Sequence, residues 1–303
     1  MKTQKNGFTM IEMLMVMGII VILIGILIPS LTAVRRFAKN TQQTAQIVTL
    51  SLAIEAFKNE YGDYPASDFW NLSNNQRDYS GAQMLSEALL GWDLLGFHPK
   101  SEWRADGRYN DGADNFAHLY ERATLGSYSD ELRQRNLEER YKPYIDRSQI
   151  QVARVGQLFN NTQNLAAQTF VICDVFNYRK ITGPGGSMVW AGAPILYYKA
   201  RTNHYDFDSS ELSTSRYDWR DNGTLIRAKG VQDGVLAGTA EKEHEWFDRA
   251  KFYGEAADYN YSLRDPLTSV PNRPWPYRPD SYILISAGAD GEYGTSDDIT
   301  NFR

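Results

Sequence analysis

The sequence predicts an α+β protein organised around one long N-terminal helix. Three observations carry that expectation. An apolar run of 22 residues, positions 8–29, follows a short basic and polar leader; as a helix it spans about 30 Å, the thickness of a bilayer core. Further on, Ile47, Leu50, Ile54, Phe57 and Tyr61 recur at steps of three and four, one apolar stripe of an amphipathic helix. Strand signals then appear at 168–178, 188–200 and 281–286, where aromatic and β-branched residues cluster.

The first stretch admits three readings. A cleaved secretory signal places a small-residue cut site after its apolar core, but here the core runs into Ile28-Pro29-Ser30 and a helical pattern. A plain signal anchor explains the apolar run but neither Glu12 nor the Gly7-Phe8 junction. A signal cut before the apolar segment keeps that segment in the mature protein. Glu12 is the informative residue, because a carboxylate inside an apolar span is costly and marks function.

The residues Gly7-Phe8-Thr9-Met10-Ile11-Glu12-Met13-Leu14 resemble the prepilin motif of type IV pilins and type II secretion pseudopilins. Pro29 stands where that family often bends its helix. The resemblance implies cleavage after Gly7 by a prepilin peptidase and N-methylation of Phe8. It also implies that Glu12 pairs with the N-terminus of a neighbouring subunit, with the face around Ile11, Leu14, Ile19, Ile22 and Ile26 packing on neighbouring helices. The implied fold is pilin-like: a long helix with a membrane-spanning first half and a second half packed on an antiparallel β-sheet. The implied role is structural, not enzymatic: a subunit of a type II secretion pseudopilus. Its partners are copies of itself, minor pseudopilins, the inner-membrane assembly platform and the membrane. The leader then lies in the cytoplasm and the globular domain in the periplasm. The alternatives are a type IV pilus-like surface filament, or a membrane-tethered binding protein or enzyme that uses a pilin-type N-terminus.

In order, the chain divides into a leader (1–7), the membrane and assembly helix (8–29), its continuation (30–62) and a globular domain (63–303). Proline at position 29 permits a kink without forcing an end. Gln43, Gln46, Thr49, Ala53, Ala56 and Glu60 are expected on the face opposite the apolar stripe. Gly62 stops the helix and Pro65 prevents its resumption. Residues 81–95 form a second, short helix with Met84, Leu85, Ala88, Leu89 and Trp92 toward the core. Residues 121–141 mix charges as a solvated helical face does. Gly183-Pro184-Gly185-Gly186 makes a turn between strands, and residues 203–265 read as irregular. The span 97–280 is an insertion relative to the shorter major pseudopilins.

The second informative stretch is the loop 286–301, with acids in a Gly-rich turn after a strand. Calcium takes oxygen ligands from carboxylates and carbonyls, and glycines let the chain fold around the ion; Asp and Gly also simply favour turns. Gly288-Ala289-Asp290-Gly291, then Gly294 and Asp297-Asp298, resemble the C-terminal calcium loop of the major pseudopilin. That resemblance implies a structural Ca2+ held by Asp290, Asp297 and Asp298, with carbonyls of Ala287 and Glu292. Ala287 departs from the larger apolar residue usual in the family.

Composition excludes much else. The net charge is −5 with pI near 5.5, so nothing suggests nucleic-acid binding. One cysteine, Cys173, forbids an intramolecular disulfide and reads as a small core residue. No two of His98, His118, His204 and His244 share the i, i+4 spacing of a zinc helix. Asp106-Gly107 and residues 111–115 could hold a second calcium but read more simply as turns.

Overall fold

The computed structural model describes residues 9–68, 78–110, 116–120, 130–162, 164–177, 179–183, 186–204, 215–232, 252, 257–258 and 275–302. In chain order these form α1 (Met10–Tyr61), α2 (Gly81–Leu90), β1 (Arg108–Asn110), β2 (Phe116–His118), α3 (Asp130–Glu138), β3 (Gln151–Arg154) and α4 (Val155–Leu158). There follow β4 (Phe170–Cys173), β5 (Arg179–Thr182), β6 (Met188–Ala191), β7 (Leu196–Lys199), a 3-10 turn (Trp219–Asp221) and α5 (Gly223–Gln232). The chain closes with β8 (Ala257–Asp258), β9 (Trp275–Pro276), β10 (Tyr282–Ser286) and β11 (Ile299–Thr300). The order is α+β, and every strand pair among the described residues is antiparallel. The chain divides into two units, Met1–Gln42 and Gln43–Arg303.

The first unit is helical and apolar. α1 continues through position 29, as expected. It is long and apolar enough to cross a membrane, and its described side chains from Met10 to Ala38 are all exposed. Two of its hydroxyls are satisfied locally: Ser30 donates to the Leu27 carbonyl at 2.8 Å and Thr41 to that of Phe37 at 3.0 Å.

The second unit is built on a three-stranded sheet in the order β11-β10-β7. β10 pairs with β7 so that Ile283 faces Tyr198 and Leu284 faces Tyr197. Strand alternation sends successive residues to opposite faces, and here both faces are covered. Tyr282, Leu284 and Tyr197 share one core with Ile47, Leu50, Ile54 and Phe57 of α1 and with Leu85, Ala88 and Leu89 of α2. Ile283, Ile285, Leu196 and Tyr198 share the other with Val155 and Leu158 of α4 and Leu225 and Ile226 of α5. Cys173 belongs to that second core and is fully buried, as expected; burial pushes its thiol pKa up. α1 ends at Gly62, whose φ of +96° suits glycine.

Several expectations change at this level. Gln43 and Gln46 do not face away from the core: they are buried, and so is Ala53. The Gln46 amide donates to the Cys173 carbonyl at 2.9 Å, and the Gln43 amide oxygen accepts from the Val175 amide at 2.9 Å. Glutamine reads as surface-facing from periodicity, but an amide can satisfy exposed backbone at the end of a neighbouring strand. The helix expected over 81–95 stops at Leu90, because Gly91 takes φ +89° and its amide caps the Glu87 carbonyl at 2.7 Å. The 188–200 segment is two strands separated by Gly192-Ala193-Pro194-Ile195, and β6 pairs with β5. β5 escapes sequence reading because Arg179-Lys180-Ile181-Thr182 is mostly polar and buries only Ile181. α5 lies in a stretch without usable period, and Asn222 ties its start to the fold by accepting from the Ala82 amide (2.9 Å) and donating to the Tyr197 carbonyl (2.7 Å).

A buried polar network joins α2 to the segment after α3. The Arg140 Nη1 donates to both Asp93 oxygens at 2.8 Å, and both side chains are nearly inaccessible. Asn136 accepts from the Arg140 Nε at 3.0 Å. Glu87 accepts from Tyr79 at 2.6 Å and from Ser101 at 2.5 Å; burial raises its pKa against these bonds. His98 is buried beside this network. Its Nδ1 accepts from the Lys100 amide at 3.2 Å, and its Nε2 lies 3.6 Å from Glu139. Burial, then the Arg140 charge and that of Lys100, lower its pKa to about 4, while Glu139 opposes them.

Truncating one partner of a buried ion pair strands the other. Asp93→Ala is therefore expected to cost about 3–5 kcal/mol in urea unfolding. The His98 ring gives a pH signature. Between about 4 and 6.5 the unfolded chain binds a proton that the folded chain refuses, so stability falls as pH is lowered through that window. Unfolding of His98→Gln across the same window should show a flatter slope than the parent.

Candidate functional site

Two places gather the residues that sequence reading singled out. At the N-terminus, Gly7 and Phe8 lie outside the described residues. Glu12 lies in the first turn of α1. Its carboxylate accepts from the Thr9 amide at 2.8 Å and from the Thr9 hydroxyl at 2.7 Å, while the Glu12 amide donates to the Thr9 hydroxyl at 3.3 Å. Residue, hydroxyl and acid three positions on form a capping box that closes the helix start. Sequence reading missed Thr9, although Thr-x-x-Glu before an apolar run is the signal for this arrangement. Glu12 is thus held by its own chain, four residues after Phe8 of the Gly7-Phe8 junction in sequence.

The second place is the loop after β10. Gly288 has φ +63°, and a Cβ there would stand 2.3 Å from the Asp297 carbonyl, so only glycine lets the two ends of the loop close. Asp297 is the hub. Its Oδ2 accepts from the amides of Ala289 (2.7 Å) and Asp290 (3.0 Å), and its Oδ1 from the Thr295 hydroxyl (2.7 Å). Asp290 Oδ1 accepts from the Glu292 amide at 2.8 Å. Asp298 Oδ2 accepts from the Gly294 amide at 2.8 Å, while its Oδ1 is buried without a hydrogen bond. The carbonyls of Ala287 and Glu292 accept from the Gly291 amide and the Thr295 hydroxyl, both at 3.2 Å. Tyr293 is fully buried and donates to the Pro194 carbonyl, pinning the loop to the segment before β7.

The charges in this loop oppose one another. Burial, then the nearby Asp290 and Asp297, push the Asp298 pKa up to about 8. Burial and the neighbouring Asp297 raise Asp290. Burial works the same way on Asp297, but hydrogen bonds from Thr295, Asp290 and the loop amides bring it below the usual range. Among the described residues no three His, Cys, Asp or Glu side chains gather into a metal-holding group. What fits a cation is narrower: an unsatisfied, buried carboxylate oxygen on Asp298, with two further acids close enough to raise its proton affinity.

The other candidates dissolve into structure. The Asp106 carboxylate is bound by Arg104, with Nε and Nη2 at 3.1 and 3.0 Å; residues 111–115 lie outside the described residues, as does His244. His118 on β2 meets Arg108 at 3.1 Å. His204 lines a polar cleft of about 670 Å³ with Lys58, Lys199, Arg201, Asp63 and Asp280. There Lys199 pairs with Asp63 at 2.6 Å and Arg201 with Asp218 at 3.3 Å.

Comparison with known proteins adds one match. The prokaryotic N-terminal methylation motif matches residues 2–28. No curated protein and no solved structure matches the chain. The chain therefore carries a type IV pilin-like N-terminus, of the kind a prepilin peptidase processes, on a long-helix α+β body that fits a pilin-like fold.

Proposed function

We propose that the chain is a structural subunit of a pilus-like filament, and specifically of a type II secretion pseudopilus in the periplasm. The methylation motif at the head of a helix apolar enough to span a membrane carries this reading. The peptidase cuts after Gly7 and methylates Phe8. The subunit waits in the inner membrane with Glu12 capped by Thr9. On entering the filament, Glu12 exchanges Thr9 for the amine of a neighbouring copy. Between packed apolar helices that pair is far stronger than in water, and an unpaired Glu12 is penalised. The acid thereby sets the register of one copy against the next, with minor pseudopilins and the assembly platform as further partners.

In this reading the C-terminal loop binds a structural Ca2+ through Asp290, Asp297 and Asp298, with carbonyls of Ala287 and Glu292. The ion offsets the burial and the repulsion that together raise Asp298, and gives its buried Oδ1 a partner. It adds stiffness to a loop already anchored by Tyr293, at a surface offered to neighbouring subunits.

Intact mass and N-terminal sequencing of the protein from its own membranes test the pathway. The expected N-terminus is methylated Phe8 with active peptidase and Met1 without it; a cut near residue 30 overturns the reading. Glu12→Ala should be processed normally yet fail to enter filaments, and incorporation at the parent level would remove Glu12 from assembly. For the loop, excess calcium at a hundred times Kd should add about 2.7 kcal/mol of stability. The gain should be larger near pH 8 than near pH 6, because at lower pH the ion must displace the Asp298 proton. Asp297→Ala should abolish the gain; a calcium response unchanged in that variant sinks the assignment.

A further inference from the structure

Within the first unit, α1 carries polar markers at two depths. The first is Glu12. The second is the turn Arg35-Arg36-Phe37-Ala38-Lys39. Met13 to Val34 contains no charged residue, and no acid occurs between Glu12 and Glu55. Along a helix, Glu12 and Arg35 are about 34 Å apart, just beyond the thickness of a bilayer's hydrocarbon core. Both markers can therefore occupy an interface at once, one in each leaflet. Two hydroxyls lie between them, on Ser30 and Thr32, and that of Ser30 is folded back onto the Leu27 carbonyl. Arg35 and Arg36 are exposed and Lys39 is partly so. At spacings of three and four, Lys39 lies along the face of both arginines. Phe37, 74 % exposed, stands between Arg36 and Lys39 in the chain.

We infer that Arg35, Arg36 and Lys39 form a binding site for anionic phospholipid headgroups in the leaflet on the side of the globular domain. This rests on reading the helix as a membrane span. The chemistry is charge with geometry: guanidinium groups present paired donors to phosphate oxygens, and long stems let the cations reach the interface while their Cα atoms sit deeper. The site sets the depth of the waiting subunit and places Glu12 at the opposite interface. The carboxylate then carries no burial penalty until the helix leaves the bilayer for the filament. The turn also accounts for the balanced distribution of cations, with Lys2 and Lys5 before the span and three basic residues after it: the second group is there for lipid and not for orientation.

The test uses the full chain with Gln42→Cys, an exposed position just past the turn. A fluorophore goes on this cysteine, while Cys173 is buried. The protein is reconstituted into vesicles of phosphatidylcholine, alone or mixed with phosphatidylglycerol. Quenching is compared between headgroup-labelled phosphatidylglycerol and headgroup-labelled phosphatidylcholine. Each basic residue near an anionic surface favours it roughly fivefold, so the parent should be quenched several-fold better by the anionic lipid, less so as salt is raised. The triple variant R35Q/R36Q/K39Q should be quenched equally by both. Equal quenching of the parent overturns the proposal. So does a variant that keeps the lipid preference, or one that differs from the parent only in self-association, which would give the cations to a second copy. Alkaline extraction separates the failures: release of the protein removes the span itself, whereas retention with equal quenching removes only the lipid site.

Discussion

The fold rests on a sheet that must be buried on both faces. Tyr282 and Leu284 of β10 lie in one core and Ile283 and Ile285 in the other, so neither side of the β10–β7 ladder meets water. A short sheet of this kind has no stability without cover. The second half of α1 supplies it on one face, and α2 with its ten buried residues completes it. Removal of the α1 stripe would expose the aromatic faces of Tyr197 and Tyr282 and the ring cluster around Phe57, whose nearest neighbours, Phe97 and Tyr61, have centroids at 5.0 Å. The long helix is therefore part of the core of the second unit as well as the apolar element of the first.

One helix thus serves two solvents. Over positions 13–34 it carries no charge and only two hydroxyls, on Ser30 and Thr32, and its described side chains are exposed all round, as hydrocarbon requires. From Gln43 onward it carries a narrow buried stripe and a polar flank, as a protein core requires. The change happens through Arg35, Arg36, Lys39 and a run of Asn, Thr and Gln. Polar residues on the buried side of this transition are used, not tolerated: Gln43 and Gln46 hold the backbone after β4, where the ladder has ended and its amides and carbonyls need partners.

The buried polar groups around α2 and the acidic loop after β10 obey one rule with different outcomes. Arg140 and Asp93 neutralise each other, and Glu87 is satisfied by hydroxyls, so that network is closed. In the loop, amides and the Thr295 hydroxyl donate to the acids, and burial, with the nearby Asp290 and Asp297 adding to it, appears as the raised proton affinity of Asp298. A closed network rigidifies a core. An open one invites a proton or a cation, which is the physical basis for reading this loop as a site and the α2 network as structure.

Sequence alone determined the features that depend on local order along the chain. The apolar run with one acid, the stripe Ile47 to Phe57, the stop at Gly62 and the buried strand Tyr282–Ser286 were all legible, because helix and strand periods and glycine φ preferences act over a few residues. The Thr9–Glu12 capping box was equally local, and its spacing was there to be read. Tertiary structure decided what depends on distant partners. It turned Gln43 and Gln46 inward, since only the fold brings the Cys173 carbonyl and the Val175 amide within reach. It formed β5 from a polar tetrapeptide, because pairing with β6 is a matter of register and not of composition. It placed Arg140 against Asp93 across 47 positions, and it buried one Asp298 oxygen without a partner. The physical reason is the same in each case: a polar side chain's fate is set by the group it meets, and neighbours in sequence do not determine that group.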